Sequence, residues 1–321
     1  MSKSTISRAT MSTVNGEPVL RFERSINHPP GKVWRAISDP AELASWFPAA
    51  VEAELTPGAP MRFTFPEEAV VDGTWDGEVL EVDPPKVFMF RWNVDVLRFE
   101  LLPADDGCLL VFTQTMGGGW VGRLGAGRTA AGWDACLDVL TAGLDGTTPP
   151  ERTDWLTPME SYLEEFGLDT GTVESTSDGW LLRFARDVVW RPNERMWELL
   201  TEGAPGAVGG EPPVRATNGH VPAGAVTEVD VPNTLAYTWL HDGEPAGEVR
   251  FRLVADAQLG NRVELTQTVP ARLGEVRAEA LAAWQVHLEL LFAAVHGELR
   301  YPWPAERTAD LTRRYAQRLA G

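Results

Sequence analysis

The stretch RFERSINHPPGKVW, residues 21–34, returns as RFARDVVWRPNERMW at 183–197 with one residue inserted. From there the two halves run in parallel. GEVLEVDPP (77–85), leading to Trp92, matches GAVTEVDVP (224–232), leading to Trp239, without a gap. Arg98-Phe99 matches Arg250-Phe251, Thr113-Gln114-Thr115 matches Thr266-Gln267-Thr268, and Trp133 matches Trp284. This collinearity is a tandem duplication. Two copies are too few for a solenoid, so each is expected to own a core. The expected division is a first domain over 1–150, a linker helix within 151–172 and a second domain over 173–321, with Trp155 to Phe166 as the bridging helix and a similar tail, Pro304 to Leu319, closing the second copy.

Within a copy, Leu20, Phe22 and Ile26 alternate with polar neighbours, which predicts a half-buried strand. Pro29-Pro30 opens a helix, and Asp39-Pro40 starts another that ends near Trp46-Phe47. Alternating runs at Met61 to Phe65, Trp75 to Val82, Phe88 to Trp92, Leu97 to Leu101 and Leu110 to Phe112 follow. The links between them are short enough only for hairpins, so the sheet is antiparallel, of six or seven strands. The last element, Arg128 to Leu144, puts Trp133, Leu137, Leu140 and Leu144 on one helical face. The fold class is α+β: two tandem units, each a curved antiparallel sheet packed on a long C-terminal helix, with a groove expected between them.

Composition narrows the function. The 321 residues carry 28 basic and 46 acidic side chains, a net charge of −18, so nucleic acid is not an expected partner. Two cysteines, Cys108 and Cys136, fit a reducing cytoplasm better than a disulfide scaffold. No window holds 18 consecutive apolar residues and the N-terminal stretch lacks a signal-peptide core, so neither membrane insertion nor export is expected. The five histidines show no helical metal-ligand spacing, and neither metal nor cofactor is expected.

The pattern from Arg24 through Pro29-Pro30 to Trp34, Asp39-Pro40 with Trp46, the EVDPP turn (81–85) before Trp92, and Gly132-Trp133 opening the final helix resemble the SRPBCC superfamily of START-related helix-grip proteins. Within it, the resemblance is to homologues of the heat-shock-protein-90 ATPase activator. It covers nearly all of the first copy. The second is shorter by 16 residues between Trp197 and Gly224 and lacks the Asp-Pro and Trp-Phe pairs, so its pocket is expected to be either open or collapsed. The resemblance implies binding of apolar ligands.

The candidate ligand-binding residues follow. Aromatic side chains suited to a hollow helix-grip are Trp34, Trp46, Phe63, Trp75, Phe90, Trp92, Phe99 and Trp133, with Trp239 and Trp284 in the second copy; core packing is the competing reading. Arg24 and Arg186 occupy inward strand positions, as do Gln114 and Gln267. A buried guanidinium requires a partner, either a structural ion pair or a ligand. His287 lies three residues after its helix tryptophan, at the position of Cys136, either as a core residue or as a pocket acid or base. The GGGWVG run, 117–122, reads as a strand-to-helix connection rather than a dinucleotide fingerprint, because an antiparallel sheet lacks the parallel crossover that motif needs.

The expected function is binding of an apolar small molecule between sheet and C-terminal helix, foremost in the first copy, without catalysis. Two rivals stand beside it. One is a co-chaperone-like module with a chaperone as protein partner; the other is a cyclase or hydrolase using Arg24, Gln114 or His287.

Overall fold

The computed structural model describes residues 8–67, 74–204 and 206–320. The first seven residues, the head of the stretch read for a leader peptide, lie outside them. The chain divides into two compact units, Met1–Phe166 and Gly167–Gly321.

The first unit begins with a hairpin of β1 (Thr10–Val14) and β2 (Glu17–Ile26). Helix α1 (Pro30–Ser38) starts on its proline and stops at Asp39, whose position before Pro40 favours extended backbone; the Asp39 carboxylate then caps α2 (Pro40–Leu43) by accepting from Ala41 N at 2.9 Å. Strands β3 (Ala50–Ala53), β4 (Pro60–Thr64), β5 (Thr74–Asp83), β6 (Val87–Trp92), β7 (Asp95–Ala104) and β8 (Gly107–Thr115) follow. The short α3 (Gly119–Leu124), the long α4 (Ala126–Asp145) and α5 (Leu156–Glu165) close the unit. All pairings are antiparallel, in the order β1-β2-β8-β7-β6-β5-β4-β3.

The second unit repeats this in shortened form: β9 (Thr172–Thr176), β10 (Gly179–Asp187), α6 (Asn193–Thr201), β11 (Ala223–Asp230), β12 (Thr234–His241), β13 (Glu244–Val254), β14 (Arg262–Pro270), α7 (Arg277–Val295) and α8 (Ala305–Ala320). Its sheet order is β11-β12-β13-β14-β10-β9. The missing pieces are the counterparts of α2, β3 and β4, which accounts for the 16-residue difference. Register confirms the duplication. Phe22, Phe112, Phe99 and Phe88 face one another across β2, β8, β7 and β6, and Phe184, Leu265, Phe251 and Leu235 form the same row in the second sheet.

The protein is thus α+β with two antiparallel sheets, each backed by a long helix. Ala126, Ala130, Trp133, Leu137, Leu140 and Leu144 make the buried stripe of α4, and each large side chain buried there contributes about 1.5–3 kcal/mol. The helix begins at Ala126, so Gly132-Trp133 lies inside it rather than at its opening. The first sheet has eight strands rather than six or seven. Its added outer strand, β1, turns at Asn15-Gly16, both at positive φ, and β9 turns through Ser177-Asp178 without positive φ, two hairpins the alternation of apolar residues does not signal. Ala271–Val295 has the length and apolarity of a membrane span, and 72% of its apolar window is buried within the protein, as in a core helix.

Candidate functional site

In the first unit, the predicted lining residues come together as one ring cluster. Phe99 stacks on Phe112 with centroids 4.4 Å apart, and Trp133 of α4 meets Phe112 edge-on at 4.7 Å. Phe63 lies 5.8 Å from Phe90 and 5.1 Å from Trp92, while Trp75 is 6.2 Å from Trp92. Trp46 approaches Phe99 at 6.1 Å and Trp34 approaches Phe88 at 6.4 Å. The centre of the cluster is Phe47. Its ring is 5.2 Å from Trp92, 5.5 Å from Trp133, 6.1 Å from Phe63 and 6.3 Å from Phe90, so it wedges between sheet and grip helix. The turn after α2 delivers it there, anchored by Trp46 Nε1 donating to the Ala36 carbonyl at 2.8 Å. In the sequence, Phe47 reads only as the end of a helix.

The inward polar residues of this unit are spent on one another. Arg24 donates to Asp134 of α4 at 2.6 Å and to the Glu23 carbonyl at 3.0 Å. Asp134 also accepts from the Tyr162 hydroxyl, which in turn accepts from Ala9 N at 3.0 Å. Burial, reinforced by Asp134, pushes the Tyr162 phenol up to about 12. Gln114 accepts from Trp133 Nε1 at 2.5 Å and donates to Asp95 at 2.5 Å; Asp95 takes a further bond from Gly117 N at 2.8 Å. Burial raises the Asp95 carboxyl despite these bonds. The glycine run is needed for fit. A Cβ on Gly117 would meet the Val94 carbonyl at 2.4 Å, and one on Gly122 would meet the Gly117 carbonyl at 1.9 Å.

The second unit keeps half of these devices. Trp284 Nε1 donates to Gln267 at 2.6 Å, but Gly247 stands where Asp95 would be, and Gln267 Nε2 has no partner among the described residues. Gln285 replaces Asp134. It accepts from Tyr315 at 2.7 Å, and Tyr315 accepts from Gly171 N at 2.8 Å, so a tyrosine clamp recurs although its acid does not. Arg186 lies over the Phe292 ring at 5.4 Å. Trp239 donates to the Thr268 carbonyl at 2.8 Å.

Where the first unit has α2 and Phe47, the second has the connection 203–222, pinned by Tyr237 donating to the Ala216 carbonyl at 2.6 Å. Beside it a groove of about 190 Å³ opens, lined by Leu199 of α6, Arg215 and Thr217 of the connection, and the segment after α7. His287, Leu290, Leu291 and Ala294 form a helical stripe of α7 along it. A wider recess of about 340 Å³ continues outward, sharing Leu199, Arg215, Ala294 and Leu299. The rim is electrically balanced: Arg215 pairs with Glu202 at 2.5 Å, Arg195 with Glu198 at 3.1 Å and Arg300 with Glu298 at 2.8 Å. His287 is 6% exposed, against Trp284 at 5.3 Å and Phe251 at 5.8 Å. Burial drives its imidazole down to about 4, the Thr217 backbone hydrogen bond opposing in part, so it is neutral at pH 7. Among the described residues no group of three His, Cys, Asp or Glu side chains could hold a metal ion.

A curved antiparallel sheet gripped by one long helix, with smaller helices at one end, defines a helix-grip protein of the SRPBCC superfamily. Residues 27–145 match the model of the Activator of Hsp90 ATPase homolog 1-like family. The match covers most of the first unit, and the second unit repeats that unit's strand and helix order in shortened form. No curated protein matches the chain. Among solved structures it is similar to a conserved protein of unknown function from Enterococcus faecalis, at 24% identity over 50% of this chain and 90% of that one, TM-score 0.42. CalU16 from Micromonospora echinospora aligns at 17% identity over 52% of this chain and 97% of its own, TM-score 0.40. DynU16, from the dynemicin biosynthetic locus, aligns at 18% identity over 86% of this chain and 98% of its own, TM-score 0.38.

Proposed function

We propose that the protein binds a small, neutral, apolar molecule, and that it does so in the groove between α6 and α7 of the second unit. The observation that carries this reading is the stripe His287, Leu290, Leu291 and Ala294, which faces an opening instead of a packed neighbour. In the first unit, Phe47 and its ring neighbours stand between sheet and grip helix. The groove's size suits one or two rings, since a cavity of about 150 Å³ takes up benzene. Its balanced rim favours neither anion nor cation, because exposed ion pairs of this kind contribute about 0–1 kcal/mol. For so few atoms, about −5 kcal/mol is a reasonable ceiling, a sub-millimolar Kd. Titrating a one-ring probe by calorimetry tests the proposal: uptake by the parent protein and its loss in Ala294→Phe, which fills the groove, are expected. Uptake unchanged by Ala294→Phe would place the binding elsewhere.

A further inference from the structure

The two helices that flank the groove present side chains of different kinds. From α7 come Leu290, Leu291 and Ala294, all apolar. From α6 come Arg195, Glu198 and Leu199, continued by Glu202 just past the helix end, and all but Leu199 are charged. The α6 row steps by three or four residues and so holds one helix face over about 10 Å. The two rows converge at Leu199 and Ala294, which with Arg215 and Leu299 line both the inner groove of about 190 Å³ and the outer recess of about 340 Å³. The space is therefore graded, apolar within and charged without. The charges of the recess come as two opposed pairs, Arg195 with Glu198 at 3.1 Å and Arg215 with Glu202 at 2.5 Å, all four side chains exposed. Such pairs hold together weakly and share their hydrogen bonds readily with a newcomer. A carboxylate there would meet Glu198 and Glu202, and an ammonium would meet Arg195 and Arg215. A hydroxyl meets no like charge, because it accepts from a guanidinium and donates to a carboxylate at once.

We propose that the occupant is a neutral two-part molecule, its ring seated in the inner groove against α7 and a short hydroxyl-bearing tail running past Leu199 and Ala294 to lie between the two ion pairs of the recess. This rests on the groove being the binding site and adds the chemical class of its occupant: ring-bearing alcohols and polyols with an alkyl spacer, in preference to bare hydrocarbons, acids or amines.

Calorimetric titration with toluene, 4-phenylbutan-1-ol, 4-phenylbutanoate and 4-phenylbutylamine, the last as its ammonium ion at pH 7, reads ring and tail apart. The alcohol is expected to bind the parent protein about tenfold more tightly than toluene, since its added methylenes leave water at the neck. It should also outbind both ions, although the protein's net charge of −18 attracts the ammonium. Two exposed substitutions then unbalance the recess in opposite directions. Glu202→Gln removes the anion beside Arg215, and should strengthen the carboxylate by about threefold to tenfold relative to the alcohol; Arg195→Gln removes the cation beside Glu198, and should do the same for the ammonium. Both replace surface side chains, where such changes leave folding nearly unaltered. If the alcohol binds no more tightly than toluene, or the ranking of the ions stays fixed in both variants, the tail assignment is overturned and the groove stands. Binding of neither toluene nor the alcohol would overturn both readings.

Discussion

Trp284 Nε1 donates to Gln267 Oε1 at 2.6 Å, joining the grip helix to the central strand of its sheet, and Trp133 makes the same bond to Gln114 in the other unit. The bond fixes which way each glutamine amide faces, and so aims its nitrogen. In the first unit that nitrogen finds Asp95; in the second it finds no partner among the described residues.

The two glutamines should therefore respond unequally to removal. Gln114→Leu strips partners from both the indole N–H and a buried carboxylate, an expected loss of about 3 kcal/mol. Gln267→Leu strands one indole N–H but removes an unsatisfied amide, for a net loss of about 1 kcal/mol. Urea unfolding of each variant checks this, and equal losses would contradict the asymmetry.

Phe47→Ala should cost about 3–5 kcal/mol, because the ring is buried among five aromatic neighbours. It should also make the first unit resemble the second by opening apolar space beside Trp133. Uptake of toluene by Phe47→Ala, measured on an Ala294→Phe background so that the groove is blocked, is the test.

The tyrosine clamps give a local prediction. Tyr162→Phe removes the acceptor of the Ala9 amide and a donor to Asp134, and Tyr315→Phe does the same to Gly171 and Gln285. Each should cost about 1–2 kcal/mol. Amide exchange should quicken at Ala9 in the first variant and at Gly171 in the second, with the other unit unaffected.

His287 links stability to pH. Its folded value, about 4, lies below the unfolded value of about 6.5, so the unfolded chain takes up the proton first as pH falls. The parent is thus destabilised between about pH 6.5 and 4, by up to about 3 kcal/mol, and no further below that. His287→Phe lacks this contribution. The stability difference between the two proteins, measured in urea at pH 7.5 and 4.5, should move by about 2–3 kcal/mol in favour of the variant at the lower pH; a constant difference would refute the coupling.

The duplication, the antiparallel sheets and the grip helices are legible in the sequence because they rest on periodicity and on matching blocks such as Thr113-Gln114-Thr115 and Thr266-Gln267-Thr268. The inward placement of Arg24 and Gln114 is legible for the same reason. Their partners are not: Asp134, Tyr162 and Asp95 come from distant segments, and no local pattern marks an acid that answers a strand arginine. Phe47 is hidden because its turn reads as the tail of a helix. The groove is hidden most deeply, since it arises from residues the second copy lacks.

Each trailing helix carries its tyrosine back to the very beginning of its own copy, Ala9 in one case and Gly171 in the other. The chain thereby ties off one repeat before starting the next. A copy sealed in this way does not depend on its neighbour for closure, so the later one was at liberty to shed a helix and a hairpin while the earlier one kept its fold. Loss of those pieces required no new architecture, only a knot already tied in each copy.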